Sequence, residues 1–547
     1  MEKLKPMLFT TLKGYKKEQL LKDVIAGVVV AIIALPLSIA LALASGVGPQ
    51  EGIYTAIVAG FLISFFGGSN VQIAGPTAAF ATIVAGIVAS NGMSGLAMAT
   101  VMAGVFLILM GIFRLGGLIK YIPYTITTGF TAGIAVTILI GQLKDFFGVT
   151  YAEGVKPIET IEKIEALIES IETVNWCAVL VGGVSLLILI VWPKISERIP
   201  GSLIAVIVGA VMVKAFNLEV NTIGTSFDVK GGLPQFNMPD FNFELMKKVL
   251  LDALTIAVLA AIESLLSCVV ADGMTGTKHR SNMELVAQGI GNIGSALFGG
   301  IPATGAIART AANIKSGGKT PIAGIVHAVV LLVVLLVLMP FAGLIPMPTI
   351  ASILFVVAYN MCQWRPFVKL VKTAPVWDIL VLVLTFVLTV VFDLVVAIAV
   401  GMVLSCLLFM KRMSDEATVS QWKKTEEKES GLLSVSEGIY VYELNGPLFF
   451  GASGYISQIA VNEKTLCLIL RMKSVSIVDA TALNALELLV EKCNKQGVKL
   501  ILSHTNPSVF NSLKKSRLID IIGEENIVPH INDAVILAEK YISNQGE

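Results

Sequence analysis

Long apolar runs separated by short polar turns fill the first three quarters of the chain. A helix needs about 20 mostly apolar residues to cross a bilayer, and this length predicts fourteen spans, with twelve or thirteen also defensible because several runs are short or tightly joined. The predicted spans are 24–45, 52–67, 71–89, 94–113, 123–147, 176–192, 202–217, 248–271, 283–299, 304–315, 320–339, 342–360, 376–393 and 394–411.

The apolar pattern is interrupted at two corresponding places, one in each half of the membrane region. Residues 66–68 and 72–78 form the first break, and residues 298–300 and 302–306 form the second; both are rich in Gly, Pro and Thr. Backbone groups at membrane depth must be paired inside protein or face a water-filled cavity. Matched breaks in two halves therefore indicate a transporter's binding site. The alternative is that Gly and Pro are simply frequent in membrane helices.

The distribution of Lys and Arg gives the orientation of the spans. With the N-terminus inside, the predicted inside loops carry Lys or Arg, whereas the short outside loops 46–51, 90–93 and 340–348 carry none. Positive charge gathers on the cytoplasmic side, so both ends are predicted to be cytoplasmic. Seven spans per half is an odd number, which makes the halves inverted repeats. The helices that follow the two breaks would then point their N-termini at each other, and such ends attract anions.

Composition limits the classes of function. Only 14% of the 547 residues are charged, against about 25% in ordinary globular domains, so most of the chain is expected in a lipid bilayer. A net charge of +1 without a basic cluster argues against nucleic acid. The six cysteines lack metal-like spacing and are expected to be free thiols. No metal, other cofactor or paired acid and base is predicted, so the chain is not expected to be an enzyme.

Two charged residues lie at predicted membrane depth, where charges are costly and mark ion paths. Glu263 lies in the middle of the eighth span, a position that suits a carboxyl group that carries a proton or holds a cation. The alternative is a protonated acid bonded to backbone. Arg309 follows the second break and needs a partner because it stays charged. It would bind the anion, pair with Glu263, or extend to the cytoplasmic face. His327, without an obvious partner, is predicted to be structural.

A polar stretch follows the last span and leads into a soluble domain. Alternation and apolar runs predict strands at 439–444, 465–470 and 498–502, with a helix at 480–493. This order is typical of a small α/β domain. The predicted divisions are a cytoplasmic N-terminus at 1–23, a transmembrane transport domain at 24–411, a linker at 412–435 and the soluble domain at 436–547.

Three stretches resemble a known family. The pattern Pro36-x3-Ala40-x-Ala42-x3-Gly46-x2-Pro49-x2-Gly52-Ile53-Tyr54 closely resembles the sulfate-permease signature, and residues 121–133 and 303–306 are also similar to the family. The tail resembles a STAS domain, with Asp479-Ala480-Thr481 where anti-sigma-factor antagonists carry Asp-Ser-Ser. The chain is identified by this resemblance as a bacterial SulP-type anion transporter.

The resemblance implies a core domain and a gate domain built from seven-plus-seven inverted repeats. It also implies a homodimer that moves small anions by an elevator-like motion, the anions being sulfate, bicarbonate, C4-dicarboxylates or exchanged halides. Glu263 falls where the family places its coupling carboxylate. The substrate-binding residues carried over by position are Leu37, Leu41, Thr77, Ala78, Ala306, Ile307, Ala308 and Arg309.

Departures from the family pattern bear on coupling and regulation. Sodium-coupled bicarbonate relatives carry an oxygen-bearing residue at the position of Ile307 and an Asp at that of Glu263. Their absence here favours protons over sodium. The region around Arg309 is more similar to a proton-coupled dicarboxylate branch. Thr481 falls where antagonists are phosphorylated, but Ala480 breaks that motif.

The sequence therefore predicts a secondary active transporter in the bacterial inner membrane that takes up a small anion with protons. The expected partners are the anion, protons, the lipid bilayer, a second copy of the chain, and a cytoplasmic protein at the STAS domain. An uncoupled anion exchanger or channel, an anion sensor that signals through the STAS domain, and a nucleobase carrier are the alternatives. The sequence leaves open which anion is carried.

Overall fold

The computed structural model contains two compact units, Met1–Met402 and Val403–Glu547. It describes residues 4–152, 155, 157, 159–196, 200–227, 232–239, 242–392, 394–422 and 435–545. Residues 423–434, half of the predicted linker, lie outside the described residues.

Helices form wherever the sequence has a predicted span, because an apolar segment satisfies its own backbone hydrogen bonds as a helix. The longer helices are α1 Lys17–Ala44, α2 Pro49–Phe66, α3 Ala81–Ile112, α4 Tyr124–Phe147, α5 Trp176–Ile195, α6 Gly201–Ala215, α7 Leu250–Thr275, α8 Ser281–Leu297, α9 Ile307–Lys315, α10 Ile322–Ala342, α11 Met347–Cys362, α12 Val376–Val391 and α13 Leu394–Asp415. Shorter helical segments are Leu8–Thr11, Ala78–Phe80, Leu115–Tyr121, Thr160–Glu169, Ile171–Thr173, Ile223–Ser226, Phe243–Lys248 and Trp364–Thr373.

Two of the predicted spans, 71–89 and 94–113, are joined in helix α3. The helix is broken within its length at Gly92, whose φ of 66° and ψ of −173° are not helical. Glycine tolerates this positive φ because it has no Cβ. Among the described residues, eight helices are long and apolar enough to cross a membrane, and Gly201–Ala215 and Val376–Val391 are shorter apolar helices. The count of fourteen spans stays a prediction.

The packing of the helices repeats between the two halves, as inverted repeats require. Helix α1 packs on α10, and its counterpart α7 packs on α3. Likewise α2 packs on α10 as α8 packs on α3, and α4 packs on α12 as α11 packs on α5. In each comparison, the two helices of one packed pair correspond to predicted spans that lie seven places before or after the spans of the other pair. The fold is therefore a helical membrane protein built from two related halves.

Small residues allow some of these helices to approach closely. A Cβ added to Gly104 of α3 would lie 2.7 Å from the carbonyl oxygen of Gly289 in α8. Such contacts between glycines let backbones pack directly in membrane helices. Helix α8 is thereby held against α3, and its other contacts include α2.

The first unit contains two short strands, β1 Ala74–Gly75 and β2 Thr304–Gly305. The second unit contains a five-stranded sheet with the order β3-β4-β5-β6-β7. Strand β3 pairs antiparallel with β4, and the remaining neighbours pair in parallel. The strands are β3 Thr418–Gln421, β4 Ile439–Asn445, β5 Cys467–Ser474, β6 Lys499–Ser503 and β7 Ile527–Val528, and the longer helices are α14 Ala480–Lys495, α15 Pro507–Lys515 and α16 Ile531–Gln545. Short helical segments are Ser453–Ser457, Leu518–Ile522 and Glu524–Asn526.

The three predicted strands and the predicted helix of the soluble domain are confirmed by β4, β5, β6 and α14. Strand β3 was not predicted and lies inside the stretch assigned to the linker, 412–435. Its residues are mostly exposed. An edge strand with few buried side chains lacks the apolar alternation that identifies a strand in a sequence, and this is why β3 was not predicted. The sheet is covered on both faces, by α14 and α15 on one and by α16 on the other.

The cysteines behave as the sequence predicts. All six are free. In the second unit, burial raises the pKa of Cys467 to about 12 and that of Cys493 to about 11. Both thiols therefore stay protonated and act as small apolar side chains of the core.

Candidate functional site

The two breaks meet in the interior of the first unit. Residues Ala74–Gly75, labelled β1, pair antiparallel with Thr304–Gly305, labelled β2. All four residues are buried, and the amide of Ala306 donates to the carbonyl of Ile73 at 2.9 Å. Each break thus satisfies the backbone groups of the other. The opposite directions of the two strands agree with inverted repeats.

A helical segment begins directly after each paired strand. Thr77 is extended and precedes the helical turn Ala78–Phe80, which leads into α3. Ala306 is also extended and precedes α9. The first amides of a helix lack partners within the helix and carry partial positive charge. Because β1 and β2 pair with each other and each leads into one of these helical segments, the first amides of both segments lie in one region.

The residues at the two starts differ in exposure. Ala78 is 7% exposed and Ile307 is 43% exposed. Ala308 is also exposed, and Ala306 is half-buried. The residues at the start of α9 are therefore the more exposed of the two sets.

Glu263 contacts the first of these starts. The Thr77 hydroxyl donates to Glu263 Oε2 at 2.9 Å, which brings together two residues that the sequence places 186 positions apart. Glu263 is half-buried. This hydrogen bond joins Glu263 to a side chain of the first break. The role of Glu263 in coupling stays a prediction.

Arg309 lies behind the first break. Its side chain is 1% exposed, and its Nη2 atom donates to the carbonyl of Pro76 at 3.2 Å and to Ser38 Oγ at 3.3 Å. Its Nε and Nη1 atoms have no hydrogen-bond partner among the described residues. The Arg309 guanidinium group is therefore buried, and it does not lie within salt-bridge distance of Glu263. Its charge lies against the residue that precedes Thr77.

Leu37 and Leu41 lie one turn apart on α1 and flank Ser38. Leu41 is 2% exposed and Leu37 is half-buried. The helix that carries them thus reaches the site through the contact between Ser38 and Arg309. Their role in substrate binding stays a prediction.

A stripe of buried polar residues on α8 was missed by the sequence reasoning. Glu284, Gln288, Asn292 and Ser295 are each 0% exposed. Their spacing of four, four and three residues places them on one helical face. That spacing is present in the sequence, within a segment that is apolar enough on average to be predicted as a span. We call these four residues the span-nine stripe.

The first residue of the span-nine stripe holds the first break. Glu284 Oε2 accepts from the amide of Gly68 at 2.9 Å, and its Oε1 accepts from Gln72 Nε2 at 2.9 Å and from Gln288 Nε2 at 2.8 Å. The Ser264 hydroxyl, next to Glu263, also donates to Oε1 at 3.2 Å. A buried carboxylate is tolerable when it receives several hydrogen bonds.

The far end of the span-nine stripe holds the second break. Asn292 Oδ1 accepts from the Ala303 amide and Asn292 Nδ2 donates to the Ala303 carbonyl, both at 2.9 Å. The Ser295 hydroxyl donates to the Ile301 carbonyl at 2.7 Å, and the Ile301 amide donates to Thr55 Oγ1 at 2.7 Å. One helix face thus fixes the backbone of both breaks.

A large apolar groove lies on another face of α7. It encloses about 860 Å³ and is lined by residues that include Leu251, Val258, Ile262, Leu265 and Met402. Neither Glu263 nor Thr77 lines it. Its walls offer little to an anion, so the polar constellation at the breaks is the candidate site.

Comparisons with known proteins show the family of the chain. The sulfate permease family model matches residues 20–385, and the STAS domain model matches residues 432–534. The putative sulfate transporter YvdB of Bacillus subtilis is 39% identical over 95% of this chain and 98% of its own length. The bicarbonate transporter BicA of Synechocystis is 31% identical over 94% of this chain and 93% of its own length.

A solved structure shares the fold over nearly the whole chain. Murine Slc26a9, an anion transporter in the inward-facing state, superposes with a TM-score of 0.89 at 20% identity and covers 98% of this chain and 94% of that one. At that identity the likeness concerns the fold alone. The family models and the relatives carry the assignment. The chain belongs to the sulfate permease family and ends in a STAS domain.

Proposed function

We propose that this protein is a secondary active transporter of small anions, of the sulfate, C4-dicarboxylate or bicarbonate class, that couples uptake to protons. The observation that carries the proposal is the hydrogen bond from Thr77 to Glu263 at the start of a half-helix. The strand before this half-helix pairs with the strand before a second half-helix. The names of the two relatives, a putative sulfate transporter and a bicarbonate transporter, support the anion class.

Anion binding would draw on three sources of positive potential. The amides at the starts of Ala78–Phe80 and α9 offer donors. The Thr77 hydroxyl offers a further donor. Arg309 adds a full charge whose buried head has no carboxylate in salt-bridge contact among the described residues. A buried charge acts over a longer range than an exposed one because less water screens it.

Coupling would arise because Glu263 and the anion share this small region. Ionised Glu263 accepts the Thr77 hydroxyl and repels an anion at the same start. Protonation removes the negative charge and frees the hydroxyl for the anion. Proton and anion therefore favour each other's binding, and by linkage each raises the affinity for the other by the same factor.

Transport requires the site to face each side of the membrane in turn. We propose an elevator-like motion in which the helices bonded to the breaks move as a core against the remaining helices. The distribution of Lys and Arg supports cytoplasmic termini and a cytoplasmic STAS domain. A homodimer, and a cytoplasmic protein bound to the STAS domain, belong to the same proposal.

The decisive test is uptake by purified protein in proteoliposomes with an imposed pH gradient. Labelled sulfate, fumarate, succinate and bicarbonate would each be offered at two pH values. We expect one of them to accumulate against its gradient when the outside is acidic. Glu263→Gln should abolish that accumulation yet still bind the anion, whereas Glu165→Gln, in an exposed helix, should behave as wild type.

Other outcomes separate the alternatives. Full proton-driven accumulation by Glu263→Gln would refute the role of Glu263. Movement only in exchange for internal anion, without response to pH, would indicate an exchanger. Transport that survives deletion of the STAS domain would count against a sensor that signals through it.

A further inference from the structure

Two short amphipathic helices occupy corresponding places in the two halves of the first unit. Thr160–Glu169, which we call the first-half helix, lies between the predicted fifth and sixth spans. Trp364–Thr373, which we call the second-half helix, lies between the predicted twelfth and thirteenth spans. Each has 10 residues, and a helix needs about 20 to cross a bilayer. Neither is therefore a span.

Both helices pack on α4, but near opposite ends of it. A Cβ added to Gly141 of α4 would lie 3.9 Å from Lys163 Nζ of the first-half helix. The second-half helix contacts α12 through the rings of Phe367 and Phe386, whose centroids are 5.4 Å apart. A Cβ added to Gly129 of α4 would lie 3.4 Å from the Phe386 amide nitrogen. Gly129 and Gly141 are about 18 Å apart along the helix at 1.5 Å per residue, so the two short helices lie toward opposite surfaces of the membrane region.

The exposed side chains of the two helices follow one pattern. At three positions an exposed apolar residue is followed directly by an exposed charged residue, so an apolar row and a charged row run side by side along each helix. The apolar rows are Ile161, Ile164 and Ile168 in the first-half helix, and Trp364, Val368 and Val371 in the second-half helix. The charged rows are Glu162, Glu165 and Glu169, and Arg365, Lys369 and Lys372. Such a pair of rows is typical of a helix that lies in the plane of the membrane interface.

The two charged rows have opposite signs. The second-half helix contains three basic residues and no acid, and the nearest acid along the chain is Asp378, in the first turn of α12. The first-half helix contains three acids and one basic residue, Lys163. An anionic membrane surface attracts a basic segment and repels an acidic one. The second-half helix is therefore the one of the two that suits anionic lipid.

Two aromatic side chains mark the depth of the second-half helix. Trp364 is 46% exposed and Tyr359 is 61% exposed, and Trp364 Nε1 donates to Tyr359 Oη at 3.2 Å. Exposed Trp and Tyr gather at the boundary between lipid and water, because each combines an apolar ring with a polar atom. At this depth the apolar row would contact acyl chains, and the long basic side chains would extend to the headgroups.

We propose that the second-half helix lies in the membrane interface and binds the headgroup phosphates of anionic phospholipids through Arg365, Lys369 and Lys372. The planar guanidinium group of Arg365 can donate two hydrogen bonds to one phosphate, and the two lysines add charge. The first-half helix, with its acidic row, does not bind these lipids. Because the second-half helix packs on α4 and contacts α12, bound headgroups would anchor these two helices to one surface of the bilayer. The proposal does not depend on which ion is transported.

The test measures lipid binding to the full-length protein in an uncharged detergent by native mass spectrometry. Phosphatidylglycerol and phosphatidylcholine with identical acyl chains are titrated separately, so that the lipids differ only in their headgroups. We expect phosphatidylglycerol to bind more tightly, and its affinity to fall as the salt concentration rises, because salt screens exposed charges. Equal affinity for the two lipids would overturn the proposal.

A double variant, Lys369→Gln with Lys372→Gln, assigns the binding to this helix. It should weaken phosphatidylglycerol binding about 25-fold, since each basic residue near an anionic surface contributes about fivefold, and leave phosphatidylcholine binding unchanged. Replacing both lysines by Arg keeps the charges and should keep the affinity, which distinguishes a lost charge from a damaged fold. The matched control is Glu165→Gln with Glu169→Gln, in the corresponding row of the first-half helix. It removes two charges of the other sign and should not weaken lipid binding.

Other outcomes would overturn the proposal. One is wild-type affinity for phosphatidylglycerol in the Gln double variant of the second-half helix. Another is an equal loss of affinity in the first-half control. The same spectra give the mass of the assembly. If the Gln double variant changes the ratio of dimer to monomer while it binds phosphatidylglycerol like wild type, a second copy of the chain covers this helix in place of lipid.

Discussion

Asn292 is expected to hold the second break open as a binding surface, and its replacement tests the role of the span-nine stripe. In Asn292→Leu, a side chain of similar size removes both hydrogen bonds to Ala303, whose backbone is fully buried. The Ala303 amide and carbonyl are then left without partners. Each unpaired buried group costs about 1–3 kcal/mol, so the predicted loss of stability is about 2–6 kcal/mol.

The assay for Asn292 combines thermal unfolding in detergent with anion uptake in proteoliposomes. Asn292→Leu should lower both the unfolding temperature and uptake, because Ala303 leads within three residues to the start of α9. Asn91→Leu is the matched control, since its amide donates to the exposed Ser90 hydroxyl away from the breaks. The control should change neither quantity.

A second replacement separates hydrogen bonding from side-chain volume. Asn292→Asp is nearly isosteric, and its neutral acid can accept from the Ala303 amide and donate to the Ala303 carbonyl. Its ionised form cannot donate, and it places a charge in the interior. Asn292→Asp should therefore approach wild-type stability at low pH and lose it as the pH rises. If Asn292→Leu unfolds and transports like wild type, the stripe does not hold the break and the reasoning is wrong.

Two further predictions concern other buried groups. Glu284→Gln should destabilise the protein by about 1–3 kcal/mol, because an amide has one acceptor oxygen where four donors now meet. Glu284→Asp keeps both oxygens and should have a smaller effect. Thermal unfolding of wild type and the two variants checks this, and a Gln variant as stable as wild type would contradict it. The lowered pKa of His504 means that the unfolded chain binds this proton more readily. Stability from this group is present above the ordinary His pKa of 6.5 and is lost as the pH falls below it. The protection factors of the β6 amides, which correct for the intrinsic pH dependence of exchange, should therefore fall at low pH more in wild type than in His504→Gln. Equal profiles would refute the assignment.

The sequence predicted most helices because a bilayer span leaves a strong local signal. Apolar runs located the helices, and the matched breaks indicated two related halves. The orientation predicted from Lys and Arg stays a prediction. The pairing of Ala74 with Gly305 could not be predicted from the pattern, because it joins residues far apart in the chain. The orientation of Arg309 was equally hidden, since its acceptors are a carbonyl in the first break and a hydroxyl on α1.

The span-nine stripe shows a different limit. Glu284 and Asn292 lie in a segment apolar enough to be predicted as a span, and their spacing was the signal that could have identified them. Their partners, Gly68 and Ala303, lie in the two breaks that the sequence did identify. Polar residues at helical spacing inside a span are thus evidence for a scaffold beside a break, in addition to evidence for an ion path.

The hydrogen bonds of the stripe also bear on how the site would move. Glu284 joins the first break and Ser264 of α7 to α8, and Asn292 joins the second break to α8. A site bonded in this way cannot change sides by rearranging its own backbone without breaking several buried hydrogen bonds at once, each costing about 1–3 kcal/mol. The less costly motion carries α7, α8 and both breaks together past helices held mainly by apolar contacts. The groove between α7 and the start of α13 is lined mainly by apolar side chains. Rigidity at the breaks is therefore a physical reason to expect an elevator-like motion, and cross-linking α7 to α13 should block transport while leaving anion binding intact.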